Sequence, residues 1–226
     1  MKKIDIWVRL VCTGVILFFA VFDHEVRAQS VEGKWGIGIR GGGGLPDEDV
    51  STAFESKTGP IVSGNILYGL GDIFSVGLNI EWEKHDIEIS GRGVGEAKTT
   101  SIIPLIEWRP IVSGAVSYYL SFGLGINMNS FNRDERRRRT ILSEDLTAEE
   151  IADLFTTPFE VDPENTMAIK ISSGFDYFAA KNLAVNTEVG WKSNSGNMEF
   201  CFSLGCETRD WDASVLTALL GFRYYF

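Results

Sequence analysis

The sequence predicts an all-β chain, an eight-stranded antiparallel up-and-down transmembrane β-barrel with a short helix in its third long loop. Three observations predict it. Eight segments of about ten residues alternate between an apolar face and a polar or small one, and period two puts these on opposite sides of a β-strand. The connections between the segments alternate between short and long. The chain opens on an export signal and closes on a strand that alternates through its final residue, Phe226.

The opening residues predict a secretory signal peptide over 1–28. Lys2, Lys3 and Arg9 give a basic start, and Leu10 to Phe22 form an apolar run of about 13 residues. Val26-Arg27-Ala28 supplies the small residues of an A-x-A-like cleavage site. The run is shorter than the roughly 20 residues a spanning helix needs. Cleavage is expected after Ala28, leaving one domain over 29–226, delivered to the cell outer membrane of a Gram-negative envelope. The whole chain carries a net charge of −10. The first 28 residues hold four basic and three acidic side chains, so the remainder stands near −11. That balance argues against nucleic acid as a partner, because phosphate binding needs a broad basic surface.

The strands follow in order. The first sets Trp35, Ile37 and Ile39 against Gly36, Gly38 and Arg40, and the second sets Val62, Ile66 and Tyr68 against Ser63, Asn65 and Leu67. The third alternates most cleanly: Phe74, Val76, Leu78, Ile80 and Trp82 oppose Ser75, Gly77, Asn79, Glu81 and Glu83. In the fourth, Ile102, Pro104, Ile106 and Trp108 oppose Ile103, Leu105, Glu107 and Arg109. The fifth runs from Val116 to Ile126, with Tyr119 and small residues on its second face. In the sixth, Met167, Ile169, Ile171, Phe175 and Tyr177 oppose Ala168, Lys170, Ser172, Gly174 and Asp176. The seventh sets Leu183, Val185, Thr187, Val189 and Trp191 against Asn186, Glu188 and Gly190. The eighth sets Leu216, Leu220, Phe222, Tyr224 and Phe226 against Thr217, Gly221 and Arg223.

Short links are expected at Gly69–Asp72, Pro110–Gly114 and Phe178–Asn182, and long ones at about 42–59, 85–98, 128–165 and 193–212. A hairpin hidden in the third long loop would make ten strands. Trp35 and Trp108 fall at the short-turn side, and Trp82, Trp191 and Trp211 at the long-loop side. Two aromatic belts at the headgroup levels would look like this.

With Gly221-Phe222-Arg223-Tyr224-Tyr225-Phe226 as its closing segment and Tyr119-Leu120-Ser121-Phe122-Gly123-Leu124-Gly125 as its fifth strand, the chain resembles the small outer-membrane β-barrel proteins, the OmpX, OmpA membrane-domain and OmpW group. The resemblance implies a porin-like or loop-presenting barrel, with Phe226 as the signal read by the barrel-assembly machinery. Outer-membrane lipid and lipopolysaccharide are its implied surroundings, and a monomer its default state. An OmpW-like member would be a narrow conduit for small apolar solutes, with an apolar mouth lined by loop residues.

The polar faces hold the first candidate site. Arg40, Arg109, Lys170 and Arg223 are expected to point inward together with Glu81, Glu107, Asp176 and Glu188. Eight strands enclose a space that side chains just fill, so four charges of each sign read as a neutralised plug. Arg133, Arg136, Arg137, Arg138 and Arg139 form a basic run in the third long loop, suited to anionic headgroups or lipopolysaccharide phosphates. Thr147 and Glu150 then make a capping box for the predicted helix, with Ile151, Leu154 and Phe155 as its apolar edge. Cys201 and Cys206 are an even pair in an exported chain, which favours a disulfide.

Gly36-Ile37-Gly38-Ile39-Arg40-Gly41 matches the dinucleotide-binding pattern G-x-G-x-x-G, but it lies inside a strand and opens no helix. His85, alone after the signal peptide, has no serine neighbour in the sequence to activate and reads as a rim residue. No catalytic residue, cofactor or metal site is therefore expected, and a lipid-modifying envelope enzyme is the least favoured reading. The leading one is a plugged barrel acting structurally, or through loops that contact envelope or host components.

Overall fold

A computed structural model describes residues 30–46, 55–89, 92–133, 160–202 and 205–226. The strands are β1 (Trp35–Pro46), β2 (Glu55–Ser56), β3 (Gly59–Gly69), β4 (Phe74–Ile89), β5 (Arg92–Ser113) and β6 (Val116–Arg133), followed by β7 (Glu160–Pro163), β8 (Thr166–Ala180), β9 (Leu183–Lys192), β10 (Ser195–Phe202), β11 (Gly205–Asp212) and β12 (Val215–Tyr225). Eight of them close a barrel in the order β1-β3-β4-β5-β6-β8-β9-β12, every neighbour antiparallel. The seam joins the first strand to the last, from Gly36↔Tyr225 to Pro46↔Val215. Closure leaves no edge, which is how a β-structure satisfies its backbone in lipid.

The alternation that makes these strands also turns the protein inside out. Ile39, Ile66, Leu78, Ile106, Phe122, Ile171 and Leu220 face outward and are exposed, while Arg40, Asn79, Glu107 and Lys170 are buried inside. Short turns close one end at 70–73, Gly114-Ala115 and Lys181-Asn182. Gly114 takes φ 57°, a left-handed conformation that glycine adopts without steric cost. Pro104 and Pro110 cannot donate to a ladder. The β5–β6 pairing omits Ile103 and Pro104 and shifts register between Trp108 and Ile111.

The long-loop end departs from the sequence reading. The segment 85–98 is mostly strand: β4 runs to Ile89 and β5 starts at Arg92. Outward positions there are Lys84, Asp86 and Glu88, so hydrophobic contrast ends at Trp82 although the backbone ladder does not. The predicted loop 193–212 is the hairpin β10–β11, which forms a three-stranded sheet with β7. That sheet continues β8, β9 and β12 beyond the barrel rim, and the barrel has eight strands, not ten. Trp211 lies in this sheet, buried, and not in an exposed belt. Tyr177 is also buried, although the alternation that exposes Phe175 would face it outward. The signal peptide and its cleavage site, the predicted helix, and Arg136, Arg137, Arg138 and Arg139 lie outside the described residues.

Candidate functional site: the charged lumen

The short-turn end of the lumen is sealed by apolar side chains. Val31, Phe178, Ala184 and Tyr225 cluster there, with the Phe178 and Tyr225 rings stacked at 5.6 Å. Backbone bonds from Gly33 N to Gly69 O (2.9 Å) and from Gly69 N to Lys34 O (3.0 Å) hold the segment that carries Val31.

Above this seal sits a first ionic layer, built by β5, β8 and β12. Arg109 and Arg223 each donate to Asp176 Oδ2 at 2.8 Å. Glu107 pairs with Arg109, and with Arg223 Nη2 at 3.2 Å. Tyr225 Oη donates to the same Asp176 oxygen at 2.7 Å, and Asn186 Nδ2 donates to Asp176 Oδ1 at 2.7 Å. Both guanidinium groups lie over the Tyr119 ring, at 5.7 and 5.2 Å from its centroid, a favourable cation–π placement. In the closed order β5 and β12 stand opposite one another, so these bonds brace the barrel across its bore.

A second layer lies above the first. Arg40 pairs with Glu188 and donates to Ser63 Oγ and Asn79 Oδ1, both at 2.9 Å. Lys170 pairs with Glu81 and with Glu188 at 2.9 Å. Lys192 reaches Glu81 at 3.5 Å, Glu83 at 3.1 Å and Ser101 Oγ at 2.9 Å. Lys170 and Lys192 are register partners on β8 and β9. Like charges placed so are unfavourable, and Glu81, reaching across from β4, sits between them. Tyr119 joins the layers by donating to Glu188 Oε2 at 3.2 Å.

The structure thus brings together all eight inward charges named from the sequence and adds two, Glu83 and Lys192. The ten sum to zero, and none is more than 5% exposed. Lys192 keeps the parity of Asn186 and Glu188, so extending the seventh segment by one residue would have found it. Toward the long-loop end the lumen has two sides. Amides and hydroxyls line one: Asn194 Nδ2 donates to Thr99 Oγ1 (3.2 Å) and to Asn129 Oδ1 (3.0 Å), and Asn127 Nδ2 to Thr166 Oγ1 (3.1 Å). Ile61, Val215 and Leu219, all buried, stand on β3 and β12.

The remaining sequence-predicted residues are dispersed. Arg133 ends β6, in register with Gly95. Cys201 and Cys206 are register partners at the tip of the β10–β11 hairpin. Phe226, exposed, pairs its backbone with Trp35 at the seam (2.9 and 3.1 Å). Among the described residues no group of three or more His, Cys, Asp or Glu side chains is placed to hold a metal ion.

Solved structures share this architecture. The outer membrane protein OprG of Pseudomonas aeruginosa superposes with a TM-score of 0.69 at 13% identity, covering 89% of this chain and 99% of that one. This is the fold of the small outer-membrane β-barrels. The barrel AlkL, solved in lipid bilayers, matches with a TM-score of 0.51 at 14% identity, over 88% of this chain and 92% of that one. Neither a family model nor a curated protein sequence matches the chain.

Proposed function

We propose that this small outer-membrane-type barrel resides in the outer membrane, is closed to solutes, and acts through its framework and its long-loop end. Among the described residues, 32 large apolar side chains are exposed, nearly all on the barrel's outer face. Contiguous apolar surface on that scale fits acyl chains and not water. The observation that carries closure is the pair of stacked ionic layers, ten charges that cancel and are buried across the full bore. Opening them would unpair buried charge at a cost of several kcal/mol per ion.

A conduit for apolar solutes would need an apolar mouth. Ile61, Val215 and Leu219 offer one such wall, but a solute admitted along it meets the Arg40–Glu188–Lys170–Glu81 layer below. The closed reading is therefore preferred. As for catalysis, His85 bonds the Lys57 carbonyl and faces Glu83, with no nucleophile hydrogen-bonded to it among the described residues. A Cys201–Cys206 disulfide at the hairpin tip and lipid phosphates at the arginine run belong to the same proposal.

Planar-bilayer recording of the refolded chain tests the reading. A closed barrel gives no discrete openings at moderate voltage. Well-resolved unitary steps from the wild-type chain would overturn it.

A further inference from the structure

At the long-loop end, the His85 ring is held by one nitrogen and bare at the other. Nδ1 lies 2.9 Å from the Lys57 carbonyl oxygen. A carbonyl only accepts, so Nδ1 carries the hydrogen and Nε2 of the neutral ring is an acceptor. Nε2 is buried without a hydrogen-bond partner and faces Glu83 Oε2 at 3.9 Å. A carboxylate oxygen is an acceptor too, so the two atoms repel as they stand, and a proton placed on Nε2 would join them. Gly44 and Gly59 make room for the ring: a Cβ on either would lie 3.2 Å from Cε1 or 2.9 Å from Nδ1.

We infer that His85 and Glu83 form a proton-binding site that clasps the first long connection to β4 under acid conditions. Lys57 lies in that connection, between β2 and β3, and its amide N donates to Asp86 O at 2.9 Å. Protonation fixes both ends of one strap: Lys57 O to Nδ1, and Nε2 to Glu83. Among the described residues the charged groups facing the ring are few. Glu83 comes from β4 itself, and Lys192 from β9, 3.1 Å from the same Glu83 oxygen. On β5 the register partner of His85 is Ala97, and β1 and β3 present Gly44, Gly59 and Ile61. The site stands above Trp82, the last apolar outward residue of β4, and rests on the fold alone.

The balance of effects agrees. Burial disfavours the charged ring, but the Glu83 carboxylate beside Nε2 and the Lys57 carbonyl at Nδ1 together outweigh it and the opposing Lys192, so the His85 pKa is raised. A group whose folded pKa exceeds its unfolded value, about 6.5 for histidine, adds stability that is complete below about pH 6.5 and is lost as pH rises through the folded value.

Histidine Cε1–H NMR titration of the full chain in detergent micelles tests this, with His85→Gln separating the His85 signal from that of His24. Half-titration is expected above about 6.5. Glu83→Gln, which keeps the shape and offers an amide donor to neutral Nε2, should lower it by about one unit, a tenfold weaker proton affinity. The thermal-stability gap between wild type and His85→Gln should widen as pH falls from 8 to 6. A wild-type midpoint at or below about 6.5, which needs no variant to fold, overturns the inference, and so does an unmoved midpoint in a folded Glu83→Gln variant.

Discussion

The two faces of β4 obey opposite rules. Outward, Phe74, Leu78, Ile80 and Trp82 are exposed and are held by their apolar character. Inward, Ser75, Asn79, Glu81 and Glu83 are almost wholly buried, and each charged one is held by named partners on other strands. The outer wall asks only for lipid-like side chains, so its residues exchange within a class. The lumen asks for particular groups at particular distances, because a buried charge without its partner is costly. The comparison teaches that the same period of two can specify a tolerant surface and an intolerant core on one strand.

The sharpest way to break the lumen side is Arg223→Met. It strips Asp176 and Glu107 of one guanidinium, and leaves excess negative charge in a buried layer. We expect a loss of about 3–5 kcal/mol of folding stability, read by urea unfolding in lipid vesicles. A loss under about 1 kcal/mol, the range of exposed pairs, would mean that the layer is wet.

The wall predicts a graded response. Leu220→Arg, near the middle of outward-facing β12, should cost about 2–4 kcal/mol in the same assay, and Leu183→Arg at the short-turn end about 0–1 kcal/mol. Leu220→Ile should be nearly silent. Equal costs for the two arginine variants would show that the wall does not sit in a bilayer with its middle near Leu220.

The second ionic layer should fall between these extremes. Lys192→Met leaves Glu81 with Lys170 but takes from Glu83 its one cationic partner, among the described residues, besides the titratable His85. Pairing it with Glu83→Gln removes both charges, and replacing both partners of a buried ion pair is often near neutral. The double variant should therefore regain most of the stability lost by Lys192→Met, with a coupling of about 0.5–3 kcal/mol. Additive losses would mean that the two side chains do not interact.

The wall and the lumen also differ in how far they could be read from sequence. Facing outward or inward is a local property, so period two identified every barrel strand and the parity of Arg40, Glu81, Arg109 and Arg223. Which charges meet is not local. Arg223 reaches Glu107 on β5, and Lys170 reaches Glu81 on β4, across a bore whose stagger no segment encodes by itself. Parity alone also misplaces Tyr177, which stands on the outward alternation of Phe175 but is buried. It loses its hydrophobic signal where strands leave the wall, as beyond Trp82, where Lys84 and Asp86 continue β4 among polar surroundings. Trp211 misled for that reason: it sits opposite Gly196 in the sheet above the rim, where tryptophan marks packing and not a headgroup level.

The smallest expected stability effect comes from the arginine run. If it is solvated, replacing Arg133, Arg136, Arg137, Arg138 and Arg139 by Gln should leave unfolding within about 0.5 kcal/mol of wild type, as surface changes usually do. If the run engages anionic lipid, the same variant should lose binding to lipopolysaccharide-containing vesicles, and that difference should shrink as salt rises, since exposed charge pairs are screened. Guanidinium groups suit phosphate because their planar forks bond two oxygens at once, so five lysines in place of the arginines should bind more weakly than wild type and more tightly than the Gln variant. Unchanged binding by the Gln variant would separate the arginine run from lipid recognition, and leave the acidic segment 143–155 as its natural counter-charge.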